Sequence, residues 1–404
     1  MSVPACHIPG GALEERLEKL LDAASDRDRR AFDEAAEGCE GRIVIYGAGE
    51  LGRRTLDGLR ANGVEPLAFA DRNRELWNQS IGGVAIMPPD EAARRFGADS
   101  VFVIAAWHPS SGRGMRDIAA ALTAHGGRRW APFAWLFWKY PPAFLPYYFW
   151  DLPSRLQRSG AAIRQAFALF EGRSQAEFVR QLELRLTGDA NCLTPPDRTT
   201  QYFPERLFRP VEDEYFLDCG SFDGDSLRGL DEWTGGSFRG AVAFEADPAS
   251  FAALRSSIAT RPEWAGKVRA IHVAVGSRRG RVRFNPSGRV GAAISAAGSI
   301  EVDLLPLDEI SLPEKPTYLK MDIEGSEMEA LRGAENLLRR YQPLAAVCAY
   351  HRPEDLWQIP LQLHEYLPSS RLLLRSYNVD GWELVCYAVP PDRPADFAEE
   401  AAAS

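Results

Sequence analysis

The first regular pattern in the chain lies at 13–37, where Leu13, Leu17, Leu20, Leu21 and Phe32 recur among charged residues. That spacing predicts helix. The period then changes. Ile43 to Tyr46 is a short unbroken apolar run, as a parallel strand buried on both faces requires. A helical stretch over 51–62 follows, closed by Asn62-Gly63, and apolar runs at 66–70 and 100–106 complete a β-α-β alternation. Residues 41–128 have room for little more than half of a dinucleotide-type sheet.

The stretch 130–150, WAPFAWLFWKYPPAFLPYYFW, is strongly aromatic and carries Pro132, Pro141, Pro142, Pro146 and Lys139. Four prolines leave too little continuous helix to satisfy backbone groups in lipid, so it is not read as a transmembrane span. It reads instead as a packing segment between domains. The alternative is a partner-facing patch, through which 130–150 would support a homo-oligomer. Residues 151–210 are mostly helical and then loosen into NCLTPPDRTTQYFPERLFRP, which marks a boundary.

From 214 the alternation resumes. Strands are expected at 215–219, 241–245, 268–275, 317–322, 344–349, 371–377 and 382–389, and helices at 225–232, 248–260, 326–341 and 360–366. Alternating strands and helices imply an α/β fold with a mainly parallel sheet. Asn378-Val379-Asp380-Gly381 joins the last two strands as a closing hairpin. Four segments result: an N-terminal helical segment (1–40), a smaller Rossmann-like domain of nucleotide-binding type (41–128), an aromatic and helical linker (129–210) and a larger α/β domain (211–404).

Composition narrows the function classes. With 404 residues, 45% hydrophobic and 25% charged, the chain is globular and holds two or three domains. A formal net charge of -9 argues against a nucleic-acid partner. The six cysteines form no CxxC pair, and the N-terminus lacks the basic start and apolar run of a signal peptide; both point to a reduced, cytoplasmic setting.

Two constellations carry chemistry. In YFLDCGSFDGDS an apolar strand delivers Asp218 to a turn containing Gly220, Ser221, Asp223 and Gly224, and a helix starts at Asp225. Glycine allows close backbone approach to a ligand. Twenty-five residues past Gly220, the next strand ends in Glu245, which can accept both hydroxyls of a ribose. Asp218, Asp223 and Asp225 at one turn would repel a pyrophosphate and suit a cationic ligand such as S-adenosylmethionine. The second constellation is YLKMDIEGSE, where strand alternation puts Lys320, Asp322 and Glu324 on one side. Paired carboxylates at a ligand edge hold an acceptor hydroxyl, act as a base or ligate Mg²⁺. Glu327 reads either with them or as the ion-pair partner of Lys320, and Ser326 with Glu329 reads as a capping box. His351 follows the adjacent strand and reads either as a neutral imidazole serving as base or substrate contact, or as a structural histidine.

On these residues the stretch 214–389 resembles the FkbM-type methyltransferases, a branch of the class I S-adenosylmethionine-dependent enzymes. DCGSFDGDS resembles that family's D-x-G-A-x-x-G-x-x-T turn. FEADPASFAAL is similar to its F-E-P-x-P-x-x-F-x-x-L, and YLKMDIEGSEMEALRGAE to its L-K-x-D-x-E-G-x-E block. Ser221, Ser226 and Ala246 stand where the pattern has Ala, Thr and Pro. The resemblance implies a class I methyltransferase sheet using S-adenosylmethionine. Asp218, Gly220 and Gly224 would line the methionine end, Glu245 the ribose, and Ala274 and Val275 the adenine. Asp322, Glu324 and His351 would face the acceptor, a small molecule or glycan. Mg²⁺ is compatible with the family, but the sequence shows no unambiguous ligand set.

In the smaller domain GAGELG places Gly47, Gly49 and Gly52 between a strand and a helix, with Asp71 at the end of the next strand, 22 residues on from Gly49. That context suits a second nucleotide site, for a nucleotide or sugar nucleotide, or else a vestigial fold kept for structure alone. No Tyr-x-x-x-Lys follows to support an oxidoreductase. The reading is O-methylation of a hydroxyl on a saccharide or saccharide-bearing molecule; the alternative is a non-catalytic scaffold or sensor that binds the cofactor or a sugar nucleotide.

Overall fold

A computed structural model describes residues 10–285, 293–294 and 298–393. Cys6, the start of the chain and the final eleven residues of the expected last domain lie outside the described residues.

The first sheet has six strands: β1 (Ile43–Tyr46), β2 (Ala68–Ala70), β3 (Ser80–Ile81), β4 (Val84–Met87), β5 (Val101–Ile104) and β6 (Arg129–Pro132). Their order is β3-β4-β2-β1-β5-β6, parallel except for the β3–β4 hairpin. β1, β2 and β5 were expected from their apolar runs. β6 begins the aromatic stretch and ends in a proline, which hid it.

The remaining strands are β7 (Tyr215–Cys219), β8 (Gly240–Glu245), β9 (Val268–His272), β10 (Ala274–Val275), β11 (Gly280–Asn285), β12 (Ala293–Ile294), β13 (Ile300–Leu305), β14 (Tyr318–Met321), β15 (Leu344–Cys348), β16 (Arg371–Ser376) and β17 (Leu384–Val389). Seven form the main sheet, ordered β16-β17-β15-β14-β7-β8-β9. All its pairings are parallel except those of β17, which closes the sheet with β16 as the expected hairpin. Residues 268–275 do not make one strand: Val273 separates β9 from β10, which leaves to pair with β13 in a four-stranded sheet, β10-β13-β11-β12. The expected helix over 326–341 breaks into Glu327–Arg332 and Glu335–Tyr341. Gly333 lies between them, so close to the Gly276 carbonyl that a Cβ would come within 2.0 Å of its oxygen. Ser326 makes no side-chain cap bond; Glu329 instead accepts from Ser277 and Arg332. The helix read as starting at Pro360 starts earlier, at Asp355, with the proline inside it.

The aromatic segment is consumed within the chain. Phe133, Leu136, Phe137, Trp138, Phe144, Phe149 and Trp150 are all buried. Phe137 stacks on Phe144 at 4.0 Å, and Phe144 lies against Gly58 of the helix Glu50–Ala61. These rings pack within the chain, whereas Trp135, Tyr140, Tyr147 and Tyr148 of the same segment stay half-buried. No helix among the described residues is long and apolar enough to cross a membrane. Cys39, Cys192, Cys219, Cys348 and Cys386 are free thiols.

The two large sheets are tied together at the tip of the β16–β17 hairpin. The Asp380 carboxylate accepts from Met115 N at 2.8 Å, at the start of the helix Met115–Ala124. Its carbonyl accepts from Trp107 Nε1 at 3.2 Å, and Asn378 Nδ2 donates to the Pro109 carbonyl at 3.1 Å. Trp107 packs on Trp382 with centroids 4.1 Å apart. Burial pushes the Asp380 carboxyl up to about 6, the Met115 N–H limiting that rise. A carboxyl raised in the folded state favours folding at low pH, and this contribution is lost as pH rises through about 6. Asp380→Asn does not titrate, so its melting temperature relative to wild type is expected to fall as pH is lowered from 8 to 5. A difference independent of pH would contradict this.

Candidate functional site

In the main sheet β8 and β9 lie on one side of β7, and β14 and β15 on the other. The carboxyl end of β7 is therefore a point where strand order reverses and a crevice opens. The chain leaves β7 through Gly220, with φ +82°. A Cβ there would sit 1.8 Å from the Asp322 carbonyl oxygen, so only glycine lets the two strand ends approach this closely. A cavity of about 370 Å³ occupies the crevice.

Glu245, the last residue of β8, lines the cavity. Its two oxygens accept from Phe222 N at 2.8 Å and Asp247 N at 2.7 Å, which fixes the carboxylate and leaves lone pairs for further donors. Burial raises its pKa and these N–H groups oppose the rise. Asp247 accepts from Ala249 N and Ser250 N and so caps the helix Pro248–Ala259. Ala274 and Val275 with Phe284 form an apolar wall. Gly220, Asp225 and Ser226 also line the cavity, the latter two at the start of the helix Asp225–Trp233.

The expected convergence of three turn carboxylates is revised. Only Asp225 lines the cavity. Asp223 turns away to Arg228, 2.8 Å distant. Asp218 is fully buried and its Oδ1 lies 3.0 Å from Lys320 Nζ. Ser221 is also buried, donating to the Asp218 carbonyl at 2.8 Å, and Gly224 packs toward Leu254. Lys320 donates in addition to the Gly220 carbonyl at 2.5 Å, so it ties β14 to the turn and does not pair with Glu327. Burial pushes the Asp218 carboxyl up to about 6, with Lys320 restraining it. Burial disfavours the Lys320 ammonium, but Asp218, Asp322 and Asp225 outweigh that and hold its pKa above the ordinary value. The pair is charged at neutral pH.

Asp322 and Glu324 also line the cavity, just past the end of β14 on the other side of β7 from β8. Asp322 Oδ2 accepts from the Tyr202 hydroxyl at 2.8 Å. His351 sits behind them with a side chain 2% exposed, and it does not line the cavity. Its Nε2 lies 3.4 Å from Asp322 Oδ1 and 3.7 Å from Glu324 Oε2, and its Nδ1 lies 2.9 Å from Glu327 Oε1. Burial lowers the imidazole pKa, but Glu327, Glu324 and Asp322 together raise it to about 10. The neutral base expected at His351 is thus corrected: three carboxylates hold a proton on the ring at neutral pH. Behind Glu327, burial pushes Asp355 up to about 8.

The sequence reading missed the aromatic walls. Tyr148, Tyr202, Tyr350 and Trp382 line the cavity, with Glu383 beside them, and so does the run His108–Ser110 from beyond β5 of the first sheet. Tyr148 and Trp382 have centroids 5.1 Å apart. Apart from ring content, no local pattern marks these positions; they meet only through long-range packing.

Gly47, Gly49, Gly52 and Asp71 gather at the carboxyl edge of the first sheet. Asp71 accepts from Ala48 N at 2.6 Å and Asn73 N at 2.7 Å, so its carboxylate ties the glycine turn after β1 to its own turn, as Glu245 does in the main sheet. A Cβ on Gly52 would come within 1.9 Å of the Gly47 carbonyl oxygen, so the close turn-to-helix packing accounts for that glycine without a ligand.

Residues 218–378 match the sequence model of the methyltransferase FkbM domain. Among solved structures, methyltransferase FkbM from Methylobacillus flagellatus shares the fold at TM-score 0.77 and 23% identity, with 93% of this chain and 99% of that one covered. An rRNA methylase from Streptococcus thermophilus matches 47% of this chain and 92% of its own, at 11% identity and TM-score 0.29. No curated protein sequence gives a significant match.

Proposed function

We propose that this chain, whose residues 218–378 form an FkbM methyltransferase domain, transfers a methyl group from S-adenosylmethionine to a hydroxyl of a saccharide or saccharide-bearing molecule. The observation that carries the reading is one cavity lined both by a backbone-held carboxylate, Glu245, past β8 and by the carboxylates Asp322 and Glu324 past β14, on the two sides of β7.

The residues present fit the cofactor. Glu245 keeps free lone pairs for ribose hydroxyls, Ala274 and Val275 offer an apolar face to a base, and Asp225 adds negative charge for an ammonium or sulfonium. When bound, S-adenosylmethionine supplies an electrophilic methyl group. The chain supplies position and charge. Asp322 and Glu324 orient the acceptor hydroxyl and draw its proton, while Tyr148, Tyr350 and Trp382 offer flat apolar faces to a sugar ring.

Calorimetric titration of the full chain with S-adenosylmethionine tests the reading. Micromolar binding is expected, and no binding at millimolar cofactor would refute it. Glu245→Ala is expected to weaken binding about 10- to 100-fold, the range for hydrogen bonds to a charged group. The analogue lacking the ribose 2′-hydroxyl separates the ribose contact from support of the turn. Wild type should discriminate against it, and the variant should not. Methyl transfer to a panel of neutral glycosides then reads the acceptor class.

A further inference from the structure

We infer that the first sheet binds the nucleotide of a nucleoside-diphosphate sugar and so presents that sugar to the methyl-transfer cavity. This rests on the proposed reading of that cavity and names the class of its acceptor.

The two sheets open in the same way. In the main sheet Cys219 of β7 is paired with Phe244 of β8, Gly220 N donates to the Phe244 carbonyl at 3.0 Å, and the next residue is Glu245. In the first sheet Tyr46 of β1 is paired with Ala70 of β2, Gly47 N donates to the Ala70 carbonyl at 2.8 Å, and the next residue is Asp71. Each acid then accepts from one N–H of its glycine turn and from the N–H two residues on: Phe222 and Asp247 for Glu245, Ala48 and Asn73 for Asp71. Asp71 is therefore held as Glu245 is, with lone pairs left for ribose hydroxyls. Strand order also reverses at β1, which has β2 on one side and β5 on the other, so a crevice lies beyond its carboxyl end.

One group at that crevice lacks a partner. Tyr46, the last residue of β1, is 3% exposed, and its hydroxyl makes no hydrogen bond among the described residues. Burial raises the pKa of this hydroxyl, Arg72 and Arg113 lower it and Asp71 raises it, so all three charges lie within its reach. Arg72 follows Asp71 beyond β2, and Arg113 lies beyond β5. The hydroxyl is thus aimed between the two strand ends, into the crevice, as a donor for a ligand oxygen. The helix Glu50–Ala61 starts here from Gly49 with no side-chain cap, which leaves its first N–H groups for an anion. With two arginines at the same crevice, the chemistry is that of a pyrophosphate on a nucleoside.

The crevice adjoins the cavity. A Cβ on Gly47 would sit 3.0 Å from the backbone of Ala105 and Ala106, and His108, two residues on from Ala106, lines the cavity. Two residues span no more than about 7 Å. One sugar nucleotide can therefore reach from the glycine turn into the cavity. The Tyr148 hydroxyl marks the same junction. Its pKa is raised by burial and then by Glu324 of the cavity and Glu50 of the helix start, so both lie near it. A pyrophosphate at the turn brings its sugar to this junction, beside the cavity that Asp322 and Glu324 line. The transfer is the one already described: a sugar oxygen bonds the methyl carbon, its proton passes to the carboxylates, and S-adenosylhomocysteine leaves.

Calorimetric titration of the full chain with the ADP, CDP, GDP and UDP derivatives of glucose tests the inference. At least one is expected to bind at micromolar concentration without S-adenosylmethionine present. Tyr46→Phe removes a hydroxyl that no other described residue uses, so the melting temperature should hold while nucleotide affinity falls about tenfold. Asp71→Asn should weaken binding at least tenfold. The 2′-deoxy nucleotide should bind wild type more weakly than the ribonucleotide, and the variant should not distinguish them. Failure of all four to bind below millimolar concentration, or binding indifferent to either substitution, overturns the assignment. So does methyl transfer to a free glucoside as fast as to the nucleotide-linked sugar. Cofactor titration of the same sample keeps the readings apart: cofactor binding without nucleotide binding defeats only this inference, and nucleotide binding without cofactor binding defeats the methyltransferase reading and leaves the nucleotide site standing.

Discussion

Replacing Lys320 by alanine is expected to destabilise the fold by about 3–5 kcal/mol, because removing one partner of a buried ion pair strands the other charge. Asp218 would remain fully buried beneath the turn with no cation beside it. Against the usual total of about 5–15 kcal/mol, that loss leaves a marginal fold. Denaturant unfolding at pH 8 measures it, and a loss under about 1 kcal/mol would mean that the pair contributes no more than a surface contact. The sign of the pH effect is fixed too. Without the ammonium, burial and Asp225 act on Asp218 with only Ser221 opposing them, so its carboxyl rises above the wild-type value of about 6. A carboxyl raised in the folded state favours folding at low pH, so the deficit of Lys320→Ala should shrink between pH 8 and pH 5. Adding Asp218→Asn removes the stranded charge and should recover part of the loss at pH 8.

The second large effect belongs to turnover. Asp322→Asn keeps the size of the side chain and an oxygen able to accept from Tyr202, but it removes the charge at the proposed acceptor end. Turnover is expected to fall about 10²- to 10⁴-fold, the usual weight of a group that draws a proton in the transition state. Cofactor affinity should change by no more than a few-fold, since Glu245 and the wall at Ala274 and Val275 are untouched. Single-turnover kinetics on a glycoside that the wild type methylates would show the split. Unchanged turnover would move the role to Glu324, and an equal loss in cofactor affinity would place Asp322 at the cofactor.

What the sequence disclosed follows from how local each signal is. β7, β8, β14 and β15 are buried on both faces and read as plain apolar runs, so the main sheet and its order of elements were legible. Glu245 and Asp322 were legible as well, because a strand end and the next turn determine where they sit. The destinations of the charges were not. Asp218 and Lys320 are about a hundred residues apart, and only the parallel pairing of β7 with β14 sets them side by side. His351 read as a base because a sequence shows one imidazole and not the three carboxylates around it. Gly333 and Gly276 broke a helix that period alone would have continued, through a backbone approach with no signature along the chain.

The grip of the hairpin tip on the segment after β5 has a consequence for inheritance. Trp107, Pro109 and Met115 are held by Trp382, Asn378 and Asp380, and the residues between them reach the cavity. Glu245 and the glycine turn lie on another stretch of chain altogether. On the proposed reading, one part of the cavity wall, at 108–110, is therefore encoded apart from the cofactor residues, while Asp322, Glu324, Tyr350 and Trp382 share their stretch of chain. A short exchange at 108–110 could retune what is methylated while the donor site passes unchanged from parent to descendant. The same separation means that the second half, cut free of the first, would lose a wall of its own cavity.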